Sequence, residues 1–118
     1  MKYLLLIHLN NDRWDELSKQ QQQDVFDAHD TFQALTRGAG ELVGYAALAG
    51  PERTTTVRER DGNRTVTDGP YLEAKEFFAG YYLVDCATHE RAVELAGMLH
   101  EARLCGIEIR PLIGDSMV

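Results

Sequence analysis

The sequence predicts an α+β fold in which one β-sheet carries helices on one side. Three observations predict it: short runs rich in β-branched and aromatic residues, two longer segments with helical periodicity, and turn residues between them. In chain order the segments read β-α-β-β-β-α-β, without an interdomain linker. Because 118 residues suffice for one core, we predict a single domain over residues 1–118.

The first half of the chain begins with a strand and continues into a helical segment. Residues 2–9 are apolar at both parities, which is typical of a strand covered on both faces. Residues 13–38 have a helical pattern, with Asn11 or Asp12 as the cap, and the glutamine run at 20–23 could hide a break between two helices. The face predicted to be buried consists of Val25, Ala28, His29, Phe32, Leu35 and Ala39.

The second half of the chain carries a hairpin signal and the remaining elements. Residues 54–60 and 64–67 are rich in β-branched residues and flank the turn Asp61-Gly62-Asn63, where glycine can take positive φ. The other predicted elements are a strand at 41–48, a strand at 79–86, a helix at 87–102 capped by Thr88, and a last strand at 106–113.

This order of elements predicts a ferredoxin-like sandwich. Two helices cover only one face of such a sheet, yet its strands look apolar on both faces. A second copy of the chain is the simplest cover for the other face. We therefore predict a homodimer whose sheets pack face to face.

Composition and charge exclude several classes of function. Hydrophobic residues make up 44% of the chain and charged residues 26%, which is ordinary for a soluble domain. The formal net charge is -7 and the sequence contains no basic cluster, so the chain should repel nucleic acid. The apolar run from Tyr3 to Leu9 is too short for a signal peptide or a membrane span. We expect a cytoplasmic protein without membrane contact.

The sequence contains no motif for a metal or a cofactor. Its four histidines lack a local metal-ligand spacing, no strand is followed by a phosphate-binding glycine loop, and no nucleophile turn is present. Cys86 and Cys105 are isolated and are predicted to be buried free thiols. We predict neither a cofactor nor a metal.

Residues 66–76 read VTDGPYLEAKE. Together with MKYLLLIH, WDEL, TTTVR, GYYLVD and GIEIRPL elsewhere in the chain, this segment resembles the DGPF-type branch of the YCII-related proteins, with Tyr71 in place of the phenylalanine. The resemblance implies a ferredoxin-like fold that pairs into a dimeric α/β barrel. It also implies a candidate His–Asp pair in a cleft and, because such genes often lie beside sigma factors of the extracytoplasmic-function type, a regulatory setting.

His29 and Asp68 are the candidate catalytic residues. His29 lies on the apolar face of the long helix and matches the helix histidine of the wider YCII pattern, so beside a carboxylate it could act as a general base. Asp68 would orient it or help to bind substrate. The alternatives are a core histidine with one hydrogen bond, and an aspartate that only stabilises its own turn.

Four charged residues are candidate ligand-binding residues. Arg58 and Arg110 lie in predicted strands and could receive a carboxylate in bidentate fashion, or could pair with nearby glutamates. Glu73 and Lys75 share a face only if their segment is extended. They would then reach a partner chain or a ligand across a dimer cleft; otherwise they are solvated.

Tyr81 is a fifth ligand-binding candidate. Tyr81 and Tyr82 are adjacent in a strand and must point to opposite faces. One should face the helices and the other the cleft, which Tyr45 could also line.

Two functions follow as alternatives. In the first, the protein is a small cofactor-free enzyme that acts on a small polar metabolite at a His–Asp site in a dimer cleft. In the second, it is a non-catalytic module that binds a small ligand or a regulatory protein partner associated with sigma factors. The sequence names no substrate, and it does not decide between the two.

Overall fold

The structure, a computed structural model, describes residues 1–114 and has four strands between its helical segments, one more than the predicted order β-α-β-β-β-α-β. The strands are β1 (Lys2–Asn10), β2 (Leu42–Ala47), β3 (Thr55–Arg60), β4 (Asn63–Asp68), β5 (Glu76–Asp85) and β6 (Gly106–Pro111). The helices are α1 (Asn11–Asp15), α2 (Lys19–Gly38), α3 (His89–Gly97) and α4 (Glu101–Leu104), with one 3-10 turn at Pro51–Arg53.

Four strands form the main sheet, in the order β2-β5-β1-β6. Every neighbouring pair is antiparallel, and the first and last strands of the chain are neighbours. With β3 and β4 set aside, this is the strand order of a ferredoxin-like fold. The predicted α+β fold is therefore confirmed, with a β-hairpin inserted between the second and third strands of the sheet.

The helices cover the face of the sheet that carries the odd-numbered residues of β1. Tyr3, Leu5 and Ile7 are buried, whereas Leu4 and Leu6 between them are only partly buried. Burying one large aliphatic or aromatic side chain contributes about 1.5–3 kcal/mol, so this face holds the fold together. The core cluster consists of Tyr3, Leu5, Ile7, Phe32, Tyr82, Val84, Cys86, Ala92, Leu95, Ala96 and Leu99.

Helix α2 begins at a capping box in which the Ser18 hydroxyl and the Gln21 side chain exchange hydrogen bonds with each other's backbone N–H. Its buried stripe contains Val25, Phe32 and Thr36. Leu35, expected on this face, is 43% exposed. Thr36 replaces it because its hydroxyl donates to the Phe32 carbonyl at 2.7 Å, which removes the cost of burying a polar group.

Both predicted helical segments are interrupted. The first contains α1, capped by Asn10 rather than by Asn11 or Asp12, and breaks before Ser18 rather than within the glutamine run. The second begins after its predicted cap Thr88 and breaks between α3 and α4. No helix within residues 1–114 is long and apolar enough to cross a membrane.

The hairpin β3–β4 forms a two-stranded sheet of its own. Its turn places Asp61 at φ 52° and Gly62 at φ 78°, the left-handed conformations that the predicted hairpin needs. Val57 and Val66 face each other in register and are 61% and 62% exposed. The radius of gyration is 16.2 Å, against about 13–14 Å for a compact chain of this length. The hairpin thus leaves apolar side chains without cover inside one chain.

Candidate functional site

His29 lies on α2 and makes two side-chain contacts beneath the main sheet. Its Nδ1 is 2.7 Å from the Tyr82 hydroxyl, and its Nε2 is 2.6 Å from Oε2 of Glu101. The imidazole is half-buried, with 20% of its side-chain surface exposed. These contacts join α2 to β5 and to α4, so three elements meet at one histidine.

Tyr82 is the second member of this group. It is one of the most buried residues of β5, and its ring packs on Phe32 at a centroid distance of 4.3 Å. Gln33, one turn after His29 on α2, donates from Nε2 to the Tyr82 hydroxyl at 2.9 Å. Burial raises the pKa of Tyr82, with the Gln33 hydrogen bond acting in the opposite direction. The hydroxyl therefore keeps its proton at neutral pH.

The donors and acceptors of these side chains form one consistent chain. Gln33 donates to the Tyr82 oxygen, and the Tyr82 O–H can in turn donate to Nδ1 of His29, with the direction set by the tautomer of the imidazole. A neutral imidazole of this tautomer carries its proton on Nε2 and donates it to the Glu101 carboxylate. Every contact in the chain is satisfied by an uncharged His29 and an ionised Glu101.

Glu101 is the carboxylate of this group and the first residue of α4. It is 4% exposed, although glutamate is among the residues least often buried. Its Oε2 contacts His29, but its Oε1 has no hydrogen-bond partner in the part of the chain that the structure describes. A buried acceptor without a partner costs about 1–3 kcal/mol.

A cavity of about 460 Å³ lies next to this group. Such a volume is within the range of small-molecule sites, roughly 300–1,000 Å³. No Lys or Arg from residues 1–114 lines it. The lining residues are Ile7, Leu9, Asn11, Trp14, Val25, Phe26, His29, Gln33, Tyr45, Ala46, Ala47, Leu48, Gly50, Phe77, Ala79, Gly80, Tyr81, Tyr82 and Glu101.

Glu101 belongs to the cavity lining, and its Oε1, itself shielded from solvent, has no hydrogen-bond partner within residues 1–114. His29 holds the other carboxylate oxygen, and Tyr82 with Gln33 holds His29 in one tautomer. Both ring nitrogens of His29 are thereby occupied. In this arrangement Glu101 offers the free acceptor and His29 positions it.

Asp68 lies outside the cavity lining. It is the exposed last residue of β4, opposite Thr55, and its carboxylate makes no hydrogen bond or ion pair within residues 1–114. Gly69 follows at φ +105°, a conformation that glycine tolerates, and its N–H donates to the Thr54 carbonyl at 2.8 Å. The backbone of this turn is therefore held by Gly69, and the carboxylate that contacts His29 is that of Glu101.

Of the five predicted ligand-binding residues, Tyr81 is half-buried and belongs to the cavity lining, but its ring lies with Leu6 on the sheet face away from the helices. Arg58 is exposed on β3, with its guanidinium 4.8 Å from the centre of the Tyr71 ring. Glu73 and Lys75 are exposed in the irregular segment before β5. Arg110 is exposed on β6, opposite Leu4 and thus on the sheet face away from the helices.

Sequence reasoning missed two residues of this group, Glu101 and Gln33. Of these, only Gln33 could have been found from the sequence. Gln33 follows His29 by four residues, a spacing that places two side chains on the same helix face. Glu101 gave no such signal, because it belonged to the non-apolar side of the predicted helix at 87–102.

Metal ligands and reactive thiols are not assembled in the described part of the chain. Residues 1–114 contain no group of three or more His, Cys, Asp or Glu side chains that could hold a metal ion. Cys86 and Cys105 are both free; Cys86 is buried as predicted, whereas Cys105 is only partly buried, and desolvation raises the pKa of each thiol. Both thiols are therefore protonated at neutral pH.

Comparison with known proteins identifies the family. A model of the YCII-related domain matches residues 1–114. An uncharacterised protein of Rhizobium meliloti strain 1021 is 32% identical over 114 residues, which cover 95% of this chain and 92% of that protein. Because both matches extend over almost the whole length, the chain belongs to the YCII-related family.

Proposed function

We propose that the cavity binds a small molecule and that Glu101, held by His29, exchanges a proton with it without a cofactor. The observation that supports this proposal is a buried carboxylate among the residues that line an apolar cavity, with an Oε1 that has no hydrogen-bond partner within residues 1–114. A buried acceptor of this kind is expected to face a bound donor. Clefts with a few convergent polar groups are also where catalytic acids and bases are found.

The proposed step is a proton transfer. Oε1 of Glu101 would take a proton from the bound molecule, while the Nε2–H of His29 stays on Oε2 and stabilises the carboxylate before the transfer. The Tyr82 hydroxyl and Gln33 fix the imidazole and so act as positioning residues. The proton would return to the same molecule at another atom, which makes the reaction an isomerisation in chemical class.

The experiment begins with native mass spectrometry of gently purified protein, which weighs the assembly and any retained molecule. The molecule is then incubated with the protein in D2O, and deuterium incorporation is followed by NMR. Exchange that is lost in Glu101→Gln but retained in the exposed control Glu90→Gln would support the proposal. A retained molecule that neither exchanges nor changes would instead support the second function, a binding module without turnover.

We also propose a homodimer, in which a second copy covers the sheet face that the helices leave open. Leu4, Leu6 and Leu83 lie on that face by strand alternation, away from the core cluster. The exposed hairpin and the segment after it, with Arg58, Asp68, Glu73 and Lys75, would reach the second copy, and Arg110 lies at the rim of the same face.

Light scattering after size-exclusion chromatography tests the homodimer. Leu6→Lys places a charge on the open face and should convert a dimer into a monomer. Val93→Lys changes an apolar residue that is already 48% exposed on α3, so it should leave the mass unchanged. A wild-type monomer at the concentrations used for binding would overturn the assembly and, with it, the roles proposed for the hairpin residues.

A further inference from the structure

We infer that the ligand of the cavity is an organic cation: an amine attached to an apolar, ring-sized body. This inference rests on the proposed function, because it needs the cavity to be a binding site. It is carried by three features of the wall: its charge, its aromatic residues and its free hydrogen-bond acceptors.

The charge of the wall is the first feature. Glu101 is the only acidic residue on the lining within the described chain, and no Lys or Arg from residues 1–114 joins it. The hydrogen-bond chain from Gln33 through Tyr82 to His29 is complete with an uncharged imidazole. Burying a carboxylate costs free energy unless hydrogen bonds or a cation compensate it, and within the described chain only His29 contacts the Glu101 carboxylate. An anionic ligand would add to this cost.

The aromatic residues are the second feature. The rings of Trp14, Phe26, Tyr45, Phe77 and Tyr82 belong to residues that line the cavity. Tyr81 is also a lining residue, but its ring lies on the other face of the sheet with Leu6. Aromatic faces attract ammonium groups, and they also pack well against a flat apolar body. An amine with a ring therefore matches this wall at both of its ends, whereas a sugar or a phosphate ester matches it at neither.

Hydrogen-bond acceptors are the third feature. Oε1 of Glu101 is buried and has no partner within residues 1–114. Gln33 uses its Nε2 to bind Tyr82, which leaves its amide oxygen as a second acceptor on the lining. A primary ammonium group carries three N–H donors and no acceptor, so it satisfies such a wall better than a hydroxyl does.

Three probes of similar size separate charge from shape: phenethylamine, phenethyl alcohol and phenylacetate. Trp14 is the only tryptophan of the chain and lines the cavity, so its fluorescence reports binding, and calorimetry gives the dissociation constants. We expect phenethylamine to bind at least about tenfold more tightly than the alcohol, and phenylacetate to bind most weakly. Equal or tighter binding of the alcohol or of phenylacetate would overturn the inference.

Variants of residues on the cavity wall test whether Glu101 causes the preference for the amine. Glu101→Gln keeps the shape of the side chain and removes its charge, so binding of the amine should fall by about tenfold or more while binding of the alcohol changes little. Glu90→Gln removes an equal charge from an exposed position on α3 and should change neither. The order of the three probes on the unmodified chain decides the inference even if Glu101→Gln does not fold.

The outcomes also separate this inference from the function on which it rests. If phenethyl alcohol binds in the cavity and the amine does not, the cavity remains a binding site and only the cation is wrong. If no probe binds below about 1 mM and the purified protein retains no molecule, both the inference and the proposed function fail.

Discussion

Oε2 of Glu101 lies 2.6 Å from Nε2 of His29, a contact that joins two helices across 72 positions of the chain. Both side chains are largely shielded from water, at 6% and 20% exposure. A contact of this kind stabilises the fold only while both partners are present, because either one alone is a buried polar group without its bond. The pair therefore serves the fold as well as the proposed site, and the two roles can be measured separately.

Removing His29 should cost more in the presence of Glu101 than in its absence. We expect His29→Ala to lower the free energy of unfolding by about 1–3 kcal/mol, because Oε2 of Glu101 is left buried and unsatisfied. In a Glu101→Leu background the same substitution should cost less, since the acceptor is gone. Urea unfolding of the two single variants and the double variant measures this coupling, expected at about 0.5–3 kcal/mol.

His100→Ala is the matched control for this cycle. The ring of His100 makes no hydrogen bond within residues 1–114, and the residue is partly exposed just before α4. Its removal should change stability little, with or without Glu101. Strictly additive effects of His29→Ala and Glu101→Leu would show that the 2.6 Å contact does not contribute to stability.

Tyr82→Phe isolates the middle of the hydrogen-bond chain. The ring stays in the core against Phe32, but Nδ1 of His29 and Nε2 of Gln33 lose their shared partner. We expect a loss of about 1–2 kcal/mol in the free energy of unfolding, and weaker binding at the cavity because the imidazole is no longer fixed.

Tyr45→Phe is the control for the hydroxyl. Its ring lies 5.3 Å from that of Tyr82, but its hydroxyl makes no hydrogen bond within the described chain, and the residue is 46% exposed. Its removal should change stability by less than about 0.5 kcal/mol. Equal losses in the two variants would contradict a special role for the Tyr82 hydroxyl.

Gly80 allows β2 and β5 to approach each other at the edge of the cavity. A Cβ atom at this position would lie 2.8 Å from the Ala46 carbonyl oxygen, and backbone cannot move aside cheaply. We therefore expect Gly80→Ala to lower the free energy of unfolding by about 1–3 kcal/mol, as overpacking usually does. Gly44→Ala on β2 is the control, since a Cβ there meets nothing within 4 Å. Denaturant unfolding compares them, and similar stabilities would refute the close approach.

The fold could be predicted from the sequence because its signals are local. Alternating burial along β1 and steps of three and four residues along α2 follow from the geometry of a single element. The hairpin turn was equally readable, because Asp61 and Gly62 tolerate positive φ. The sequence did not predict that β3 and β4 pair only with each other and not with the main sheet. That outcome depends on what the edge of each strand contacts in the folded chain.

The partner of His29 could not be predicted either, because it too depends on tertiary structure and not on a local pattern. Leu99 faces the core, and in an unbroken helix a residue two positions later would point about 200° away from it. The chain instead breaks between α3 and α4, which turns Glu101 back toward the sheet. The periodicity of the sequence gives no sign of such a break. Asp68, in the DGP turn, therefore stood out as a candidate, whereas Glu101 did not.

The ion pair between Glu41 and Arg91 should make stability depend on pH in the acid range. Arg91 forms a two-pronged contact, with Nε 3.0 Å from Oε2 of Glu41 and Nη2 2.9 Å from Oε1. This contact lowers the pKa of Glu41 from its ordinary value of 4.5, mainly through the hydrogen bond. Because the folded-state pKa is the lower one, the stabilisation is fully present above the unfolded-state pKa and is lost as pH falls through the folded-state pKa.

Glu41→Gln should remove this acid dependence. Melting temperatures measured from neutral pH down to about pH 3 should fall more steeply in the wild type than in the variant, and the two curves should converge at the acid end. At neutral pH the variant should melt at a lower temperature, because Arg91 on α3 loses the carboxylate just before β2 and keeps only its exposed neighbour Glu94. Glu90→Gln, an exposed change in the first turn of α3, should follow the wild-type curve. If the melting temperatures of the wild type and Glu41→Gln fall in parallel with pH, the ion pair makes no pH-dependent contribution to stability.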